Sequence, residues 1–221
     1  VPTNILLIQP RRQDLQTSAS ADWTDAFPLV QAGPAAVVAG IGNRGDGPLA
    51  VTAVAPYTEL GPHVVTVTSA AGGVFLFGVT DPGGTLVGRG MAGATVTVAG
   101  LTLSLTPGST PFQVGDAWGV QPTPQLIDDT GIDYVLQVRQ SQTSPVVTLE
   151  ATSRPPGGTL QTLIPGAGSG VPTLLVLAPM MAPTRFPPGP YVYELLALAD
   201  GRRKSVYFGN LEHVDGVAYL P

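Results

Sequence analysis

The feature that most limits what this chain can become is an apolar period of two. Over residues 132–139, Ile132, Tyr134, Leu136 and Val138 alternate with Asp133, Gln137 and Arg139. A strand turns successive side chains to opposite faces, so this spacing yields one apolar face and one wet face. Residues 64–68 (VVTVT), 74–80 (VFLFGVT) and 95–105 (TVTVAGLTLSL) are similarly rich in β-branched and aromatic residues. Turn chemistry separates the runs, at Asp81-Pro82-Gly83-Gly84, Pro107-Gly108 and Asp200-Gly201. The last of these divides 191–198 from 204–208 and predicts a hairpin, because Asp-Gly readily takes the positive φ values of a tight turn. Helix is expected only as a turn or so near 178–186. Many short strands between turns predict an all-β fold of sandwiches or barrels.

Composition narrows the function. Glycine and proline, 28 and 23 of 221 residues, approach the share seen in disordered chains, but 43% hydrophobic residues supply a core. Ten basic against fifteen acidic residues leave a net charge of -5 and no basic surface for a nucleic-acid backbone. The absence of cysteine excludes disulfide scaffolds, cysteine zinc sites and thiol nucleophiles. Two histidines leave little for a Ser-His-Asp triad or a multi-histidine metal site. The chain is therefore expected to be no enzyme and to need no cofactor. Arg11 and Arg12 follow the apolar run of residues 5–8, the reverse of a secretory signal. The most apolar stretch, 171–183, is interrupted by prolines and falls short of a membrane span, so a soluble protein without membrane insertion is expected.

Charge is unevenly distributed. Residues 33–120 carry almost none, the flanks carry most, and Gln121-Pro122-Thr123-Pro124 forms a stiff seam. Two domains in series would fit this pattern, and so would a middle domain inserted into a flanking one.

Specific residues favour insertion. Arg11-Arg12-Gln13-Asp14, Ala21-Asp22-Trp23-Thr24-Asp25 and Phe27-Pro28-Leu29-Val30 resemble the opening of a small Ig-like module of tailed-bacteriophage tail and baseplate proteins. The next strand of that module is matched by 127–139 (IDDTGIDYVLQVR), roughly ninety residues later than a short turn allows. Its ending is matched by 188–195 (PGPYVYEL) and 205–209 (SVYFG). The interruption resembles a β-rich domain attached to phage head decoration and other virion proteins. Gly42-Asn43-Arg44-Gly45-Asp46-Gly47-Pro48-Leu49, His63–Thr68, Phe77–Gly84 and the run from Gly100 through Pro111-Phe112-Gln113-Val114-Gly115-Asp116 carry that likeness.

The resemblance implies an Ig-like β-sandwich virion-docking module, residues 1–32 and 122–221, with a small β-rich domain, 33–121, inserted in it. It implies a structural protein of the phage tail or baseplate region, an adaptor that attaches or spaces fibre or receptor-binding parts. The virion, assembled in the host cytoplasm, is the implied location. The implied partners are other tail, baseplate or capsid subunits and further copies of this chain. Head decoration, as a capsid cement, is the alternative; carbohydrate-binding host recognition comes third.

The candidate side chains differ in the company they keep. Arg44-Gly45-Asp46 spells a cell-adhesion tripeptide, but Gly-Asn and Asp-Gly here most simply supply turns. Asp128, Asp129 and Asp133 form the densest acidic cluster; they lack the positions of a calcium loop, and no metal is assigned to them. His213 lies between Glu212 and Asp215 without a nucleophile, and a surface histidine is expected; His63 is placed in a strand or at its edge. Arg202, Arg203 and Lys204 form the only cationic run, at a predicted hairpin tip that suits an acidic neighbour. Trp23 and Tyr207 join them as candidate interface anchors. About half of the flanking aromatics (Trp23, Phe27, Tyr191, Tyr193, Tyr207 and Phe208) are expected in the core.

Overall fold

The computed structural model describes residues 5–154 and 161–216. Positions 1–4, 155–160 and 217–221 of the expected docking module lie outside the described residues. A 3-10 turn at Ile5–Leu7 precedes strands β1 (Arg11–Arg12), β2 (Leu15–Ser18), β3 (Trp23–Ala26), β4 (Val30–Ala39), β5 (Leu49–Val54) and β6 (His63–Ala71). Then come β7 (Val74–Thr80), β8 (Leu86–Met91), β9 (Thr95–Val98), β10 (Leu101–Leu105), β11 (Ala117–Leu126) and β12 (Asp133–Arg139). The chain continues with β13 (Leu149–Thr152), β14 (Gln161–Ile164), β15 (Thr173–Val176), the single helical turn α1 (Ala178–Met181), β16 (Gly189–Ala199) and β17 (Arg202–Val214). The protein is all-β, and its α-helix falls where a turn of helix was expected.

The chain forms two compact units, one from residues 1–30 and 126–221, the other from 31–125. The seams therefore lie at 30/31 and 125/126, against the expected 32/33 and 121/122. Strands β4 and β11 run side by side and cross these seams. The proline-rich stretch 121–124 is part of β11 rather than a free linker; Thr123 donates its hydroxyl to the Pro34 carbonyl at 2.7 Å.

In the discontinuous unit, nine strands are hydrogen-bonded in the order β1-β17-β16-β12-β13-β14-β15-β3, with β2 also on β17. This single sheet folds over its own core. Phe27, beside β3 at one end, packs edge-on against Tyr207 of β17 at a centroid distance of 5.2 Å and tilts against Tyr193 of β16 at 6.2 Å. The alternation in β12 works as expected, with Tyr134, Leu136 and Val138 fully buried. Strands β16 and β17 form the expected hairpin. Ala199 pairs with Arg202 across Asp200 (φ 51°) and Gly201 (φ 71°), the positive pair that a two-residue turn requires. A bulge follows: Leu195 faces Tyr207 and Leu196 faces Ser205, leaving Val206 extra. The consecutive residues Val206 and Tyr207 consequently both turn inward.

In the inserted unit, a three-stranded sheet β5-β10-β9 and a five-stranded sheet β4-β11-β6-β7-β8 share one core. Leu101, Leu103 and Leu105 point inward from β10 to meet Val65, Val67, Phe77 and Val79 of the larger sheet. The run 95–105 is not one strand. Ala99 (φ 49°) and Gly100 (φ 83°) fold it into a tight hairpin, so that Leu101 pairs with Val98.

Candidate functional site

The structure separates the anchors expected at the surface. Trp23 is buried on β3, and its indole N–H donates to Asp25 Oδ2 at 2.7 Å. Tyr207 is buried by the bulge, and its hydroxyl donates to the Pro28 carbonyl at 2.7 Å. Both expectations are corrected: these rings hold the core and present no surface to a partner. Of the flanking aromatics, five are buried and Phe208 alone is substantially exposed, at 40%. Arg202 and Arg203 are exposed where β17 leaves the hairpin turn. Lys204 is half-buried, and its ammonium donates to the Leu6 carbonyl at 2.5 Å; burial lowers its pKa. The cationic run is thus two exposed arginines and one lysine fastening the N-terminal segment.

The acidic cluster also divides. Asp128 accepts the Thr130 N–H at 3.0 Å, in the turn expected for it, and Asp133 pairs with Arg154 at 2.6 Å. Asp129 is fully buried and accepts four hydrogen bonds, from the N–H groups of Gly166 (2.8 Å), Gly168 (2.7 Å) and Gly170 (3.1 Å) and from the Tyr134 hydroxyl (3.2 Å). Its carboxylate organises a glycine-rich loop, as an oxyanion does in a nest of backbone donors. Burial, and then the charge of Asp129, raise the Tyr134 pKa. Among the described residues, no cluster of three His, Asp or Glu side chains converges as metal ligands would.

Both histidines are interior, which corrects the surface placement of His213. Its ring stacks on Phe186 with centroids 4.3 Å apart, Nε2 lies 3.2 Å from the Met181 carbonyl, and Nδ1 lies 2.9 Å from the Thr17 hydroxyl. His63 opens β6 with no exposed surface.

In the inserted unit, the two motifs that carry the decoration-domain resemblance interlock. Asp116 accepts hydrogen bonds from the N–H groups of Arg44 (2.8 Å), Gly45 (3.0 Å) and Gln113 (2.9 Å). Asn43 exchanges two hydrogen bonds with the backbone of Ala117, and Asp46 accepts from the Thr110 N–H and the Ser109 hydroxyl. Phe112 fills the space that a side chain at Gly45 would need: a Cβ there would lie 2.7 Å from Phe112 Cδ1. The same ring packs edge-on against Trp118. Arg44-Gly45-Asp46 is therefore a structural turn with its carboxylate occupied.

The open face of the discontinuous unit brings together residues that no local motif links. Cross-strand register aligns Gln137 with Glu194, Glu194 with Phe208, and Phe208 with Arg12. One step along, Arg139 faces Val192 and Val192 faces Asn210. The result is a groove of about 450 Å³, with Gln142 also in its lining. Glu150 accepts from the Gln137 amide at 2.7 Å, and Gln137 Oε1 accepts from Arg139 Nη2 at 2.5 Å, so the guanidinium is held in place. Its Nε–H, shielded from water, has no partner among the described residues. The β12 alternation already placed Gln137 and Arg139 on a wet face, but their neighbours from β1, β16 and β17 depend on pairing across the fold.

No family model matches the chain, and no curated protein does. Solved structures similar to it include flagellar junction proteins. FlgL of Xanthomonas campestris is 21% identical with a TM-score of 0.32, covering 45% of this chain and 33% of that one. The flagellar junction protein FlgL of Legionella pneumophila is 14% identical with a TM-score of 0.32, over 46% and 37%. The flagellar hook junction protein FlgK of Burkholderia pseudomallei is 19% identical with a TM-score of 0.33, over 67% and 39%. The chain spans between 33% and 39% of the length of each of these proteins.

Proposed function

We propose that this chain is a non-enzymatic structural protein of a tailed-bacteriophage virion, an adaptor of the tail or baseplate region. The observation that carries the reading is the interruption itself. Residues 1–30 and 126–221 make one unit around one core, and a second unit with its own core is spliced between them. The discontinuous unit docks on the particle, and the inserted unit serves as a spacer or a support for a fibre. Adhesion then depends on area and repetition among identical copies rather than on chemistry. The exposed arginines Arg202 and Arg203 steer the hairpin tip toward an acidic neighbour. The groups that a hydrolase would use are committed to structure: His213 and Asp129 are buried and hydrogen-bonded within the core.

Copy number tests this proposal. Quantitative mass spectrometry of purified virions, scaled to the major capsid protein, is expected to give a few to a few tens of copies. Hundreds of copies would make the chain a head decoration protein, and absence from the particle would overturn the virion reading.

A further inference from the structure

We infer that the outer face of β6, β7 and β8 is a self-docking surface, which takes the same face of a second copy of this chain across a two-fold axis. The contact belongs to the chain in solution and does not depend on the tail or virion reading.

Register gathers the apolar side chains. Directly opposed residues of an antiparallel pair share a face, so Leu76 stands beside Met91, and Thr80 stands between Val64 and Leu86. Alternation along β7 adds Val74, while Phe75, Phe77 and Val79 turn to the core. Val64, Val74, Leu76, Leu86 and Met91 are 38–48% exposed, and they make up five of the fifteen large apolar side chains exposed among the described residues. Single exposed apolar residues are ordinary, whereas a contiguous group on one sheet face marks a contact surface. The face is also low in relief. Gly78 lies at its middle, where an added Cβ would come within 2.9 Å of Leu86 Cδ1. Thr68 and Thr80 turn their hydroxyls back to the Leu76 and Val64 carbonyls, at 3.3 and 3.4 Å.

Charge selects the occupant. Arg89, opposite Gly78, is exposed on this face, and its guanidinium engages no carboxylate among the described residues. Asp81 follows β7 at the rim of the face. Its Oδ1 accepts the Thr85 N–H at 2.8 Å, and its Oδ2 has no partner among the described residues. Gly78 and Asp81 are three residues apart, roughly 10 Å along the chain. A two-fold axis between these positions sets each copy's Arg89 against the other's Asp81, so one interface holds two identical ion pairs. Val64, Thr80 and Leu86 then lie nearest the axis, and Leu76 and Met91 reach the other copy's turn at Pro82. A uniformly acidic or basic partner would match one of the two charges and oppose the other.

Three strands about 4.8 Å apart, with six residues of about 3.3 Å each, give a face of roughly 300 Å² per copy. That is well below the area of a stable dimer, so the contact is weak and reversible alone and gains strength by repetition.

The test follows amide shifts and sedimentation of the full chain over a concentration series. Rising concentration is expected to shift signals within 64–68, 74–81 and 86–91 and to raise the average mass toward a dimer. Leu86→Lys, which sets like charges across the axis, and Arg89→Glu should each weaken association at least about tenfold. Ile41→Lys, at an exposed apolar residue off the face, should leave it unchanged. An equal mixture of Arg89→Glu and Asp81→Lys chains should restore association that each variant lacks alone, because both ion pairs return with reversed sign in one of them. If Asp81→Lys disrupts its turn, Leu86→Lys and Arg89→Glu still decide. Mass and shifts independent of concentration would overturn the inference, as would shifts confined to other surfaces or parent-like association in both of those variants. A folded mixture that fails to associate would overturn the two-fold pairing. Shifts on this face with dodecyl maltoside micelles, but none with concentration, would assign it to a lipid surface instead.

Discussion

His213 Nδ1 and the Thr17 hydroxyl meet at 2.9 Å inside the discontinuous unit, joining β17 to β2 through side chains as well as backbone. The carbonyl of Met181, 3.2 Å from Nε2, is only an acceptor, so Nε2 carries a proton, and when the ring is neutral Nδ1 accepts from the Thr17 hydroxyl. In the neutral ring this tautomer satisfies both nitrogens. Burial lowers its pKa from 6.5, against the opposing hydrogen bonds to the Met181 and Phe186 backbone and the charge of Asp215. A depressed histidine pKa means that the unfolded chain takes up the proton first. Stability conferred by His213 is complete above about pH 6.5 and is lost as pH falls toward the lower folded value. Thermal melts between pH 7.5 and 5 should therefore show a falling Tm, and His213→Gln should flatten that slope. An unchanged slope would place the pH sensitivity elsewhere.

Asp129→Asn should destabilise the discontinuous unit by about 3 kcal/mol in urea titration, because an amide leaves part of the four-donor set unsatisfied in the core. Asp128→Asn, in the adjacent exposed turn, should barely move the urea midpoint. Equal shifts would contradict the organising role of the buried carboxylate.

Gly45→Ala should destabilise the inserted unit by more than about 2 kcal/mol, since its Cβ would press into the Phe112 ring and the backbone beside it. Asp116→Ala should act on the same unit, by releasing three backbone donors. Burial works to raise the Asp116 pKa, but hydrogen bonds from Gln113, Arg44 and Gly45 and the Arg44 charge outweigh it and hold the pKa below 3.8. Its contribution is present above that value and disappears as pH drops through the folded pKa. Acid titration of Asp116→Ala should show a shallower loss of stability than the parent chain below pH 4.

Replacing residues 31–125 with a Gly-Asn turn should leave a folded unit. Leu29 and Ile127 lie on either side of the insertion and are already joined by a backbone hydrogen bond of 3.1 Å. A cooperative melt and dispersed amide signals are the expected result. An unfolded product would mean that the first unit depends on the second.

The all-β class, the short helical turn and the β16–β17 hairpin were legible in the chain, because each rests on chemistry within a few residues: alternation, Asp-Gly and proline. The inward face of β12 was legible for the same reason. The sequence run 95–105 concealed a hairpin, since Ala99 gives no local sign that it will take a positive φ beside Gly100. The fates of Trp23, Tyr207 and His213 were not legible either. A bulge at one residue reverses which face a strand buries, and an interior histidine looks like a surface one until its hydrogen-bond partners arrive from distant strands. The groove is the clearest case. Alternation within β12 determined that Gln137 and Arg139 face away from the core. Only the cross-strand register, set by the folded pairing of β1, β16 and β17, decided that Glu194, Phe208 and Arg12 would stand beside them.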